Sequence, residues 1–134
     1  MIEHKSDISN KADVKIFVDA FYDKVRKDST IGPVFAAVIQ GDSWGLHLER
    51  MYSFWHSVLF GQPDYRGNPF SKHRNLPIEA RHFNRWIDLF TSTIDEHFSG
   101  DRADDAKRRA VTMGKMFESK LAYLRQNTGY NNIM

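Results

Sequence analysis

Histidine is the side chain of this sequence best suited to bind a metal or to move a proton near neutral pH. His47 shares a helical face with Met51 and Phe54. His73 lies in a short segment between a loop rich in proline and glycine and a long predicted helix. His4, near the N-terminus, is interpreted as incidental, and His56 and His97 as solvent-exposed residues at polar helix edges. His82 precedes Phe83 at the start of a predicted helix, where it could either reach a pocket or lie on the surface.

Several classes of chemistry are not supported by the sequence. A histidine on an apolar face is more often a packed core residue than a ligand, and no HExxH motif or close pairing of His, Asp and Glu supports a zinc site. The chain has no cysteine, which excludes disulfides, thiolate metal sites, iron–sulfur clusters and cysteine nucleophiles. A Gly-rich phosphate loop and a GxSxG nucleophile turn are also missing.

Charge and hydropathy narrow the classes of partner that the sequence can bind. The formal net charge is +2, and the basic triplet Lys107–Arg109 is interpreted as a solvated helix face, so neither nucleic acid nor a membrane is expected as partner. No uncharged apolar run approaches the roughly 20 residues of a membrane span. The first residues lack the apolar core of a signal peptide. Together with the absence of cysteine, this favours the reducing cytoplasm.

Aromatic residues make up 13% of the chain and lie mostly between Phe17 and Phe98. A small helical domain can bury large rings in its own core. The same rings can wrap a flat apolar ligand. Composition alone leaves both interpretations open.

The elements that must position these side chains are helices. From Val14 to Val25 the apolar residues fall at i, i+3, i+4, i+7, i+8 and i+11, one stripe of an amphipathic helix that Ser9 or Asn10 can cap. Pro33 suits the first turn of a short second helix.

A third helix is predicted from about Trp44 to Phe60, with Ser43 as a possible cap. Its apolar residues cover more than one face, so it is buried on two sides or against a ligand. A loop follows to Pro69. Two more helices are predicted, one prepared by Pro77 with an apolar stripe from Phe83 to Phe98, and one from about Arg102 to Arg125.

No stretch alternates with period two for long enough to form a strand, and no repeat or second domain is visible. The sequence therefore predicts an all-α fold and a single domain over residues 1–134. The folded core is expected at about 14–121, with a frayed tail at 126–134.

An ordered set of short motifs resembles the truncated haemoglobins: Phe21-Tyr22, Pro33-Val34-Phe35, Trp44-x-x-His47, Phe54-Trp55, Lys72-His73-x-x-Leu76-Pro77 and Trp86. Each motif is weak alone, but the ordered set is specific and covers about residues 14–121. The Trp44/His47 pair and the loop from Asp64 to Pro69 look most like group III. The chain also lacks the Gly-Gly pairs of other truncated groups.

The resemblance implies a truncated globin fold, a two-over-two helical sandwich around one non-covalent haem b. His73 matches the proximal iron ligand, with Lys72 and Arg74 beside it in the haem-binding set. The polar distal residues are Tyr22, His47 and Trp86. Pocket-lining positions are matched by Phe35, Met51, Phe54 and Trp55. The candidate cations for the haem carboxylates are Lys72, Arg74, Arg81 and Arg85, for which ordinary surface charge is the alternative. His82 could touch the edge of the haem, with a surface position as the alternative.

The function that the resemblance implies is binding of O₂, NO, CO or related small ligands. Hydrogen bonds from Tyr22 and Trp86, each worth about 1.5–3 kcal/mol, could slow O₂ release roughly tenfold or more. Slow release favours NO dioxygenase-like or peroxidase-like chemistry with a reductase over bulk O₂ storage. His47 could gate the pocket, bind the iron as a sixth ligand, or lie at the pocket mouth.

Two alternatives belong to other classes. One is an O₂ carrier or gas-sensing module without turnover, and the other is a haem-free helical interaction domain whose aromatics are only core. In each case the domain is expected to be a monomer.

Overall fold

The computed structural model describes residues 5–63, 65 and 78–133, with side chains as far as residue 126. These residues form helices and no strand, which confirms the predicted all-α class. No helix among them is long and apolar enough to cross a membrane. The helices are α1 (Lys11–Lys27), α2 (Gly32–Val38), α3 (Ser43–Phe60), α4 (Ala80–His97) and α5 (Asp101–Ile133).

The helices form two packed pairs. α1 packs on α3, and α4 packs on α5, while α1 also contacts α4 and so joins the pairs. The α4–α5 pair is antiparallel, because the start of α4 lies with the later part of α5 in one buried cluster and its end lies with the start of α5 in another. At the crossing, Gly114 lets the helices approach: a Cβ there would lie 3.1 Å from Ile87 Cδ1.

The helix ends mostly follow the sequence signals. The Asn10 side chain accepts a hydrogen bond from the Asp13 amide at 2.9 Å, so Asn10 is the cap of α1. Gly61 ends α3 in the left-handed conformation at φ 66°. Ser43 is the first residue of α3 and Asp42 is its cap residue, so the predicted capping role of Ser43 is wrong by one position.

Two boundaries differ more. α4 begins at Ala80, whereas its start was expected directly after Pro77, a residue outside the described part. α5 continues to Ile133, beyond the expected end near Arg125. Intrinsic propensity is a weak guide here, because adding residues to an existing helix is easier than nucleating one. Whether the tail frays stays a prediction.

Asp28 ties the end of α1 to two other elements. Its carboxylate accepts hydrogen bonds from the Thr30 and Ile31 amides at 3.0 Å and from Arg85 Nε of α4 at 2.7 Å. Burial alone raises the pKa of a carboxyl, but these donors overcome it and hold the pKa of Asp28 below its usual value. These contacts fix the segment that leads into α2, a helix that forms one wall of the candidate site.

The basic triplet on α5 is engaged in ion pairs on the surface. Lys107 Nζ lies 2.7 Å from Asp95 on α4, and both arginines pair with Asp105 within α5. This matches the interpretation of the triplet as a solvated helix face.

Candidate functional site

A cavity of about 370 Å³ lies where the two helix pairs meet. Its walls come from every helix, with side chains such as Tyr22 of α1, Phe35 of α2, Met51 of α3, Trp86 of α4 and Met113 of α5. Aromatic and aliphatic residues dominate, and a few polar groups lie among them. This composition and size are typical of a small-molecule or cofactor site.

The predicted site residues within the described chain all lie on this wall: Tyr22, Phe35, His47, Met51, Phe54, Trp55 and Trp86. They come from four different helices, so only the tertiary fold brings them together. Lys72, His73 and Arg74 lie outside the described residues, and their place in the site stays a prediction.

Two wall residues, Tyr22 and His47, form a triangle of ring contacts with Trp44. The Tyr22 and His47 ring centroids are 4.9 Å apart, Trp44 and His47 are 5.8 Å apart, and Tyr22 and Trp44 are 6.0 Å apart. All three contacts are edge-to-face, a favoured arrangement of aromatic rings. The Arg26 guanidinium covers the Trp44 ring at 4.7 Å. His47 is therefore held by packing, with its Nε2 atom buried.

Tyr22 brings a hydroxyl to this largely apolar wall. The residue is only 6% exposed. Burial raises the pKa of the Tyr22 hydroxyl above its usual value, because the phenolate would lose its hydration. The hydroxyl thus keeps its proton through the physiological range and remains a hydrogen-bond donor.

Trp86 is held by a stack of rings on the α4 side of the cavity. It lies nearly parallel to Phe90, with centroids 5.6 Å apart and planes at 16°. Phe90 in turn stacks on Trp55 at 4.7 Å, and Phe21 meets Trp86 edge-on at 5.7 Å. The indole is thereby fixed in place, and its N–H can only donate.

His82, for which the sequence left a pocket position and a surface position open, is a wall residue. It is buried, with 7% exposed, and its Nδ1 accepts a hydrogen bond from the Glu79 amide at 2.8 Å. This contact forms part of a capping box at the start of α4. Two sequence signals were available: the spacing of Glu79 and His82, and the i,i+4 relation of His82 to Trp86.

Two of the candidate cations for the haem carboxylates have partners within the described chain. Arg85 pairs with Asp28 at 2.7 Å, and Arg81 lies 3.5 Å from Glu79. A role of these two arginines at the haem stays a prediction. Arg50 of α3, which the sequence did not single out, lines the cavity and is exposed to solvent. Its charge is suited to an acidic group at the cavity rim.

Comparison with known proteins gives consistent results. The family model described as bacterial-like globin matches residues 6–119. The chain is 29% identical over 120 residues to the Group 3 truncated hemoglobin of Campylobacter jejuni, covering 87% of this chain and 94% of that protein. The crystal structure of a group III truncated hemoglobin from Campylobacter jejuni matches with a TM-score of 0.79 at 29% identity and the same coverage. These matches confirm the resemblance and the truncated globin fold predicted from the sequence.

Proposed function

Since the chain belongs to the bacterial-like globin family, in which small ligands bind to a haem, we propose that it holds one non-covalent haem b and reacts with O₂, NO or peroxide there. The observation that carries the proposal is the joint presence of Tyr22, His47 and Trp86 on the wall of one apolar cavity. Donors in an apolar pocket are what a partly charged gas ligand requires.

The chain's residues fit a haem. Rings from several helices offer flat apolar surface to a porphyrin, and Arg50 at the exposed part of the wall suits a haem carboxylate. When bound, the haem supplies an iron atom at which diatomic gases bind. The protein's part is to hold the ring, exclude water and place hydrogen-bond donors.

His73 is the proposed iron ligand. His82 lines the cavity, but its Nδ1 already accepts from Glu79, so Nε2 of the neutral ring carries the proton and has no lone pair for iron. His56 and His97 are not on the described wall. His47 lies in the ring triangle with Tyr22, on the side proposed here for the gas. These contacts support the sequence-based assignment of the ligand to His73.

Tyr22 and Trp86 are the proposed donors to the gas, and His47 is the third polar residue of that side. Burial keeps the Tyr22 hydroxyl protonated, and the indole N–H of Trp86 can donate a hydrogen bond but cannot accept one. Two such donors favour slow O₂ release. We therefore favour NO dioxygenase-like or peroxidase-like turnover, supported by a reductase, over O₂ delivery.

The spectrum of the purified protein tests the haem proposal. We expect a Soret band in the wild type and its loss in purified His73→Gly, because a non-covalent haem without its bond to the imidazole is lost during purification. His97→Gln, on the exposed end of α4, is the matched control and should keep the band. No Soret band in the wild type contradicts haem binding, and an unchanged band in His73→Gly contradicts the ligand assignment.

Turnover separates the proposed chemistry from the carrier or sensor alternative. Purified O₂-bound protein supplied with a generic electron donor should consume NO or peroxide repeatedly. Consumption of one equivalent without recovery is the result expected of a carrier or sensor.

A further inference from the structure

His82 leaves one hydrogen-bonding group that the proposed function does not use. Its Nδ1 accepts from the Glu79 amide, so the neutral ring carries its proton on Nε2. No residue of the described chain accepts a hydrogen bond from this Nε2–H group. Because His82 lines the cavity, a ligand that fills the cavity can supply the acceptor, and a donor left without one in an apolar surrounding is costly.

The position of His82 indicates which part of the ligand it meets. His82 and Trp86 lie four residues apart on one face of α4, about 6 Å along the helix axis, and both line the cavity. If Trp86 faces the gas near the centre of the haem, His82 lies one helical turn away, towards the edge of the ring. On the periphery of a haem, the strong hydrogen-bond acceptors are the two carboxylates.

We propose that His82 is a haem-binding residue that donates its Nε2–H to a haem carboxylate. This rests on the proposed function, since it requires the haem. The hydrogen bond from the Glu79 amide fixes the tautomer and the orientation of the His82 ring, so its Nε2–H donor is already positioned in the haem-free protein. A neutral imidazole also provides a donor in a buried place without the desolvation cost of an arginine.

Substitutions can separate the capping contact from the haem contact. His82→Gln keeps an acceptor for the Glu79 amide and a donor for the haem. His82→Glu keeps the acceptor but replaces the donor by an anion. Asn84→Glu adds the same charge on the exposed side of the same helical turn and is the matched control.

The measurement is the rate of haem transfer to excess apomyoglobin. We expect transfer from His82→Glu to be about tenfold faster or more than from the wild type, with His82→Gln and Asn84→Glu within about threefold of it. With haem dimethyl ester, whose carboxylates are blocked, the difference between His82→Glu and the wild type should vanish.

The proposal is overturned if haem leaves His82→Glu at the wild-type rate, or if His82→Gln and His82→Glu accelerate haem transfer equally. It is also overturned if haem dimethyl ester leaves His82→Glu faster than it leaves the wild type. If the wild type binds no haem, the proposed function itself fails, which is a different result. If His82→Glu does not fold, ¹⁵N NMR of the wild-type CO complex provides the test. A slowly exchanging His82 Nε2–H that is present with haem and absent with haem dimethyl ester supports the contact. A His82 ring protonated on Nδ1 overturns it.

Discussion

Tyr22 shows how one residue joins packing to chemistry. Its ring contacts those of Phe21, Phe35, Trp44 and His47, so it has little freedom to move. Burial raises the pKa of its hydroxyl, so the same packing that holds the ring also preserves the proton. The residue is therefore suited to donate to a ligand rather than to ionise.

Replacing Tyr22 by Phe tests this role, because the ring is kept and only the hydroxyl is lost. We expect O₂ to dissociate roughly tenfold faster or more, from the loss of about 1.5–3 kcal/mol of hydrogen bonding. Stopped-flow O₂ displacement by CO measures the rate, with Tyr123→Phe on the exposed side of α5 as control. The wild-type rate should stay constant as the pH rises towards 10, since the raised pKa keeps the donor protonated. Equal, fast rates in wild type and Tyr22→Phe contradict the role.

At the scale of elements, the N-terminus of α5 is capped by a residue far away in the sequence. Asp7 accepts hydrogen bonds from the Arg102 and Ala103 amides at 2.9 and 2.8 Å and so acts as the cap that α5 itself does not supply. Gly100 makes room for it, because a Cβ at that position would lie 2.5 Å from Asp7 Cγ. Its φ of 145° also favours glycine.

Asp7→Ala should lower the free energy of unfolding by about 0.5–2 kcal/mol at neutral pH, the usual effect of losing a cap. Burial acts to raise the pKa of Asp7, but the helix amides overcome it and the pKa lies below its usual value. The carboxylate thus stabilises the fold above the unfolded-state pKa, and this contribution is lost as the pH falls through the lower folded-state pKa.

The measurement is urea unfolding of wild type and Asp7→Ala at pH 7 and at progressively lower pH, with Asp88→Ala of α4 as an exposed control. The difference between wild type and Asp7→Ala should shrink on acidification. A difference that is independent of pH argues against the charged cap.

On the scale of the whole molecule, the core consists of two buried clusters. The larger contains Phe17, Phe90 and Ile94, and the smaller consists of Ile78, Phe83, Phe117 and Leu121. Members of both clusters line the cavity, which means that a ligand in it contacts both. Such a ligand would join the start of α4 and the later part of α5 to the rest of the fold.

Haem binding should therefore stabilise the smaller cluster most. A ligand that binds only the folded state adds about 2.7 kcal/mol at a hundred times its dissociation constant. In hydrogen exchange of haem-free and haem-loaded protein, we expect the strongest slowing over residues 80–86 and 114–121. Residues 101–110, in the larger cluster, serve as the internal reference. Equal slowing throughout the chain contradicts a ligand that bridges the clusters.

The sequence by itself determined the helices and the residue types of the wall. Helical period and capping depend on neighbours within a few residues, so α1, α2 and α3 could be predicted closely. The ordered motifs also selected Tyr22, His47 and Trp86, which the fold brings to one cavity.

Tertiary structure decided what depends on distant partners. The sequence could not tell whether His82 faces water or a cavity, because its burial depends on the packing of α4 and α5. Nor could it assign Arg85 to Asp28 or Asp7 to the start of α5, since these contacts join segments 57 and 95 residues apart. The burial and the pairing of a side chain depend on residues that only the assembled fold brings near, whereas helical periodicity depends on neighbours in the sequence.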